Sequence, residues 1–474
     1  MSDFDLVLQG DVVCFDGVRK DGWIAVANGR VVLVGQGAPP AARDSQKFKG
    51  CWIFPGAIDA QVHSRSQKSQ EGFERSTRAA AAGGVTTICD MPFDDGDLIC
   101  NIERFERKKR DAEREAHVDV ALFATIDPSI GLGSIGELAA AGACAFKFST
   151  FEAHPTRFPR TPTPLLIEAF RLVAETGLVA CAHNENQEII TYMTKRAAEL
   201  GMKGPEVHAW ARPAVNEALA MLEIYEAGVT SGVHAHVVHC SISRGIEICE
   251  SYKRQGHRVS VEVLLPFLFL TDVDVMRAGG FAKINPPVRT APEREALWRH
   301  LAAGHVDLVS TDHVAWSRDR KDNPEMLKNN SGFPGLELLM PLFVTGCLER
   351  NMDFSLIARC LTFNPARHFR LAPTKGALEP GCDADIAVLE PADYVYDPAR
   401  GHTCVDWSPY AGRKMRARVA ATWRRGEMIF DGTKILSAPG SGKFVRPLLG
   451  NRPAEHESET AASRSSNSSI SSSF

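Results

Sequence analysis

Between residues 53 and 375, short β-rich runs alternate with amphipathic helical stretches eight times, and this count constrains the fold more than any other feature. The runs are IFPGAIDAQ (53–61), VTTICDM (85–91), VDVALFA (118–124), ACAFKFS (143–149), LVACAH (178–183), HAHVVH (234–239), RVSVEV (258–263) and VDLVSTD (306–312). Between them lie helical patterns such as EGFERSTRAAAAGG (71–84), NIERFERKKRDAERE (101–115) and PLLIEAFRLVAETG (164–177). Eight strand–helix units predict an α/β fold, a (β/α)8 TIM barrel. An open doubly wound sheet is the competitor, but no Gly-rich dinucleotide loop follows the first run. The flanks read as short alternating strands separated by Gly and Asp turns. They predict a small composite β-sandwich domain formed by both termini. The expected domains are therefore 1–52 (N-terminal part of the sandwich), 53–375 (barrel), 376–450 (C-terminal part of the sandwich and an extension) and 451–474. That last stretch is a Ser-rich tail too poor in apolar groups to order itself.

A formal net charge of −4 gives no electrostatic case for nucleic acid or an anionic membrane as partner. No run approaches the length of a bilayer span, and the N-terminus lacks the basic and apolar regions of a secretory signal. Twelve cysteines are scattered without paired spacing, the usage expected of free thiols in a reducing cytoplasm.

The polar residues then fall in one place. In FPGAIDAQVHSR, Asp59, Gln61 and His63 are spaced by two, so a strand turns all three to one side. Lys147 lies in the fourth run, His183 ends the fifth, His239 ends the sixth and Asp312 ends the eighth. Taken singly, each is equally an ordinary hydrogen-bonded strand end or a snorkelling lysine. Five such residues near the carboxyl ends of five barrel strands predict a metal centre, because only there do side chains from all strands meet above the packed core.

These motifs resemble the cyclic-amide branch of the amidohydrolase superfamily, the allantoinases, hydantoinases and dihydroorotases. PGAIDAQVH resembles the family's PGxIDxHxH opening, and residues 71–92 are similar to the allantoinase helix and second strand. GACAFKF resembles the segment whose lysine becomes carboxylated. CAHNEN and HVVHCS resemble the segments carrying the two later histidines, KINPPVR (283–289) the NPPxR substrate loop, and STDH (310–313) the SDH that carries the catalytic aspartate. The resemblance runs from about residue 5 to residue 446 and is nearest to allantoinase. It implies a small-molecule substrate, ring opening by metal-activated water and Asp312 as the proton shuttle. A carbamate made from CO2 and Lys147 would bridge two divalent ions, zinc by expectation. His183 and His239 would complete one ion and His63 and Asp312 the other. The resemblance also implies Asn285, Arg65 and His313 as substrate-binding positions, and a homo-oligomer, tetramer or dimer.

One departure stands out: Gln61 occupies the position of the family's first histidine. A neutral amide is a poor donor to a borderline metal. Three outcomes follow: weak ligation through the amide oxygen, catalysis with one metal, or a non-catalytic scaffold like some dihydroorotase-like and dihydropyrimidinase-like relatives. Retention of the other five positions favours a working hydrolase. Phe93 stands where dihydroorotases have Asn, and Glu152 where hydantoinases have an oxyanion-binding tyrosine. Phe267, Phe269 and Trp316 are candidates for an apolar pocket wall, equally for the core. The Pro-rich stretch 151–164 is expected to be a lid or specificity loop.

Overall fold

The computed structural model of the chain describes residues 3–449; the expectation made for the Ser-rich segment 451–474 lies outside the described residues. Eight parallel strands form the barrel: Ala57–Val62, Val85–Asp90, Asp119–Leu122, Ala145–Ser149, Val179–His183, His234–Val237, Val259–Leu264 and Leu308–Ser310. Consecutive strands pair in parallel through two sheets. Parallel bridges at Ala124–Phe146 and Val62–His313 join those sheets at both edges and close the ring. All six residues of the first, second and seventh strands are buried, because one face meets the barrel interior and the other the surrounding helices.

Two runs are shorter as strands than their apolar pattern implies. The sixth ends at Val237 and the eighth at Ser310, although the pattern continues to His239 and Asp312. Both of those residues have left-handed backbones, with φ of 46° and 51°. That conformation breaks a ladder and is costly for a residue with a Cβ.

The helices follow their sequence signals. Ile102–Glu115 begins after Asn101, whose side chain accepts from the Arg104 N–H. Thr163–Thr176 follows Pro162 and ends on Gly177 in the left-handed conformation. Three helices, Gln187–Glu199, the short Val207–Trp210 and Ala214–Ser231, separate the fifth and sixth strands.

Both termini share one seven-stranded sheet. Its order is Glu427–Phe430, Lys414–Arg424, Ile386–Val395, Ala42–Pro55, Phe4–Cys14, Gly17–Ala27 and Arg30–Gln36. The join is antiparallel, with Ile53 opposite Val388. The composite domain is thus a single continuous sheet packed around Leu8, Ile24, Ile53, Ile386, Val388 and Trp423. At the amino-terminal end of the barrel, Asp119 of the third strand meets Asp383 and Asp385 of the sheet around the buried Lys375 ammonium, at 2.5, 2.9 and 2.7 Å. Arg425 also pairs with Asp119.

All twelve cysteines are free, and eleven are buried. Among the described residues, no helix is long and apolar enough to cross a membrane.

A candidate metal-dependent active site at the barrel mouth

At the carboxyl ends of the strands lies a cavity of about 400 Å³ lined by Gln61, His63, Lys147, His183, His239 and Asp312. A surface groove of about 450 Å³ beside Arg244, Glu247, Tyr252 and His300 gathers no comparable set. The five residues expected from the strand ends therefore meet in one place, and Gln61 joins them.

They form two pairs. His183 Nδ1 faces His239 Nε2 at 2.9 Å, and the other nitrogen of His183 sits 2.9 Å from the Glu185 carboxylate. Glu185 is buried, yet Arg212 at 3.1 Å and His183 hold its carboxyl below the usual carboxylate range against the effect of burial. A carboxylate at Nε2 fixes the proton there and leaves the Nδ1 lone pair aimed at the second imidazole. His239 is itself kept neutral by burial, with His183 and Lys147 adding to the effect.

The second pair is His63 and Asp312, with Nε2 3.2 Å from Oδ1. Gln61 donates its side-chain N–H to the same oxygen at 2.9 Å. Burial alone would raise the Asp312 pKa, but the bonds and charge of His63, followed by Lys147 and Gln61, hold it below the ordinary value.

Lys147, on the fourth strand, lines the same cavity and acts electrostatically on a member of each pair, His239 and Asp312. Burial pushes its pKa down to about 8, and its ammonium nitrogen has no hydrogen-bond partner. His63 Nδ1, His239 Nδ1 and Gln61 Oε1 are likewise buried without partners. Unpartnered buried polar atoms are uncommon in folded proteins, and four in this one cavity are donors and acceptors open to a ligand. Two facing imidazoles, a lysine disposed to lose its proton and a carboxylate fit a borderline divalent ion. By contrast, Asp119, Asp383 and Asp385 lie within metal-ligand reach of one another, but Lys375 already supplies their cation.

Asp59 does not join the ligands. Its carboxylate accepts from the Thr311 hydroxyl at 2.5 Å and from the Thr311 and Gln61 N–H groups, so it clamps the first strand to the eighth.

The three substrate-binding positions fare differently. Asn285 lines the cavity, where its Oδ1 accepts from Ser331 at 3.0 Å. Arg65 is not among the residues lining the cavity, and its guanidinium pairs with Asp94 at 2.8 Å and Asp111 at 2.7 Å. His313 is likewise absent from the cavity lining. Its Nε2 meets Glu71 at 2.8 Å, and its Nδ1 accepts from the Gly335 and Leu336 N–H groups. Both side chains are spent on acceptors and donors the chain provides, which the motif alone could not reveal. Phe267 and Phe269 belong to the core, whereas Trp316 lines the cavity. Phe93 stacks on His63 and meets Phe158 edge-on at 4.1 Å.

Sequence reasoning missed the groups behind the ligands. Glu217 receives Arg289 at 2.5 Å and Ser241 at 2.5 Å, fixing the loop after the NPP segment beside the sixth strand. Glu262, on the seventh strand, accepts from the His239 N–H at 3.3 Å, and burial pushes its pKa up to about 7. A lone acid inside the apolar run RVSVEV was the signal that could have found it.

Comparison with known proteins agrees with this geometry. Residues 52–429 match the model of the amidohydrolase family. The chain is 34% identical to the allantoinase of Rubrobacter xylanophilus, over 94% of this chain and 98% of that one. It is 30% identical to the allantoinase of Deinococcus radiodurans, over 94% and 99%. Among solved structures, the L-hydantoinase (dihydropyrimidinase) of Arthrobacter aurescens superposes with a TM-score of 0.89 at 26% identity, covering 94% of this chain and all of that one.

Proposed function

The chain belongs to the amidohydrolase family and is a metal-dependent hydrolase of cyclic amides or ureides; from that premise we propose how its own residues open the ring. The observation that carries the proposal is the convergence of His63, Lys147, His183, His239 and Asp312 on one cavity with several of their polar atoms unpartnered. Lys147, lowered to about 8 by burial, is disposed to attack CO2 as the free amine, lose its proton and become a carbamate anion. That anion, His183 and His239 would hold one divalent ion, zinc by preference, and His63 with Asp312 the weaker position. Such an ion supplies Lewis acidity toward water and toward the amide carbonyl. Asp312, ionised in the folded protein, takes the proton from the attacking water. It returns that proton to the ring nitrogen as the C–N bond breaks, and the nitrogen stays tethered in the product. Glu185 orients His183 throughout, and Phe93 with Phe158 walls the cavity.

The names of the relatives, allantoinase and L-hydantoinase, suggest a five- or six-membered ureide-type ring. We assign the protein to the cytoplasm on its free thiols, and to a homo-oligomer, a tetramer or dimer. No observation favours a non-catalytic scaffold.

The test is a panel of allantoin, hydantoins, dihydropyrimidines, dihydroorotate and cyclic imides, assayed with zinc, manganese or cobalt for wild type and Asp312→Asn side by side. Wild type opens at least one ring, and Asp312→Asn loses on the order of 10²–10⁴ in rate with its fold intact. A protein silent on every ring and empty of metal after titration is not this enzyme.

A further inference from the structure

The geometry points to an anion subsite at Arg157, Ser66 and Trp316, made to take a carboxylate carried by the substrate ring beside the amide that is cleaved. This deepens the ring-opening reading and rests on it.

Three loops build the subsite. Ser66 follows the first strand, Arg157 lies in the Pro-rich loop after the fourth, and Trp316 follows the eighth; all three line the same cavity as the candidate ligands. Arg157 donates one N–H to Ser66 Oγ at 2.7 Å. Its guanidinium carbon stands 5.1 Å from the centre of the Trp316 ring, which is itself anchored by an N–H bond to the Ser331 carbonyl at 2.9 Å. The next residue, Phe158, lies 5.6 Å from the His183 ring, so the loop brings the cation to the rim of the metal-binding face.

Among the described residues, Arg157 is set apart by having neither a countercharge nor more than a single acceptor. The other cavity cations are answered: Arg212 by Glu185 at 3.1 Å, Lys328 by Glu325 at 3.0 Å, and Lys283 by the carbonyls of Leu327 and Asn329. Lys147 is the lysine to be carboxylated. Arg157 has no carboxylate within 4.0 Å among the described residues, and the Ser66 hydroxyl is its only hydrogen-bond acceptor there. Burial holds its pKa below the ordinary arginine range, with only Asp95 and Asp94 pulling the other way from beyond ion-pair distance. The Ser66 bond uses one of the five N–H donors of the guanidinium, and the others are open to an anion that enters the cavity. Its planar fork matches a carboxylate with two parallel bonds. Arg65, the position the family motif suggested for such a role, is spent on Asp94 and Asp111. The task falls to a residue outside that motif.

The rival explanation is mechanical: Arg157 could simply latch its loop shut on Trp316 and Ser66. The two separate on one pair of substrates, hydantoin-5-acetic acid and its primary amide, assayed with the metal-loaded enzyme. Wild type should favour the acid in kcat/KM by about 100-fold, because the amide keeps the shape but loses the charge-assisted bonds to the guanidinium. In Arg157→Gln the ratio should collapse to within a few-fold, chiefly through KM for the acid. Arg157→Lys, which keeps the charge but not the fork, should recover part of it. Equal handling of both compounds by wild type overturns the subsite. So does a loss in Arg157→Gln that is the same for acid and amide, the mark of a latch. Calorimetric binding of the two compounds to the same proteins keeps the subsite separate from the reaction. If neither ring is opened, tighter binding of the acid, weakened at least 10-fold in Arg157→Gln, upholds the subsite while the ring-opening reading fails. Equal binding then removes both.

Discussion

Gln61 is the residue on which the chemistry turns. It stands where a histidine would complete the second metal position, and its amide is engaged with Asp312 at 2.9 Å while its oxygen remains unpartnered. An amide that donates to Asp312, the proposed shuttle, orients it but adds little affinity for an ion. Metal analysis of the zinc-saturated, gel-filtered protein should therefore give nearer one ion per chain than two. Gln61→His should move the content toward two, and His183→Ala or His239→Ala should bring it close to zero. Two ions per chain in the wild type would mean that the amide oxygen ligates after all. The residues that share the cavity were mostly legible as residue types at run ends. What the sequence could not disclose was that Arg65 and His313 already have partners, since these come from Asp94, Asp111, Glu71 and the Gly335–Leu336 backbone.

At the scale of the element, the Pro-Gly that opens the first barrel strand shows how a local signal acquires a tertiary cause. A Cβ on Gly56 would lie 2.3 Å from the Thr86 hydroxyl oxygen of the neighbouring strand. The glycine is there because a side chain of the second strand crosses its position. Gly56→Ala should destabilise by about 1–3 kcal/mol, the usual cost of overpacking. Thr86→Ala in the same chain should recover part of that loss, since it removes the two nearer atoms but leaves the Cβ at 2.8 Å, and urea denaturation of the single and double variants reads the coupling. Simple additivity of the two would show that the contact is not the cause. The sixth and eighth runs carry the complementary lesson. Their apolar pattern continues past the strand ends, but His239 and Asp312 turn left-handed, which places the two proposed ligands off the ladder at the mouth.

At the scale of the whole molecule, the barrel and the terminal sheet are locked together by the Lys375 cluster. One ammonium, 3% exposed, serves three carboxylates drawn from both units. Lys375→Met should cost about 3–5 kcal/mol in thermal or chemical denaturation, because it leaves buried negative charges without their cation. A variant as stable as wild type would mean that Arg425 alone neutralises the group. The outer surface carries the second expectation. On the helix Ala214–Ser231, Val215, Leu219 and Leu222 are 52%, 45% and 39% exposed, and their spacing of four and three puts them on one stripe. If the homo-oligomer uses this stripe, Leu219→Glu with Leu222→Glu should shift light scattering toward the 51.7 kDa monomer. A wild type already at that mass removes the oligomer itself.

The sequence by itself determined the eight alternating units, the pairing of the two terminal strand groups and the five polar residues at the strand ends. All of these follow from periodicities of two and 3.6 residues and from chemistry placed where those periods stop. Only the tertiary structure decided which polar side chains face the cavity and which are tied off behind it. Asp59, Arg65 and His313 are near the ligands in sequence but bonded away from the cavity, whereas Arg157, in a loop without a motif, lines it among the ligands. A residue's type and register fix what it can bind. Which partner reaches it first is set by chain folded from up to 252 positions away, as for Asp59 and Thr311, and that information is not local.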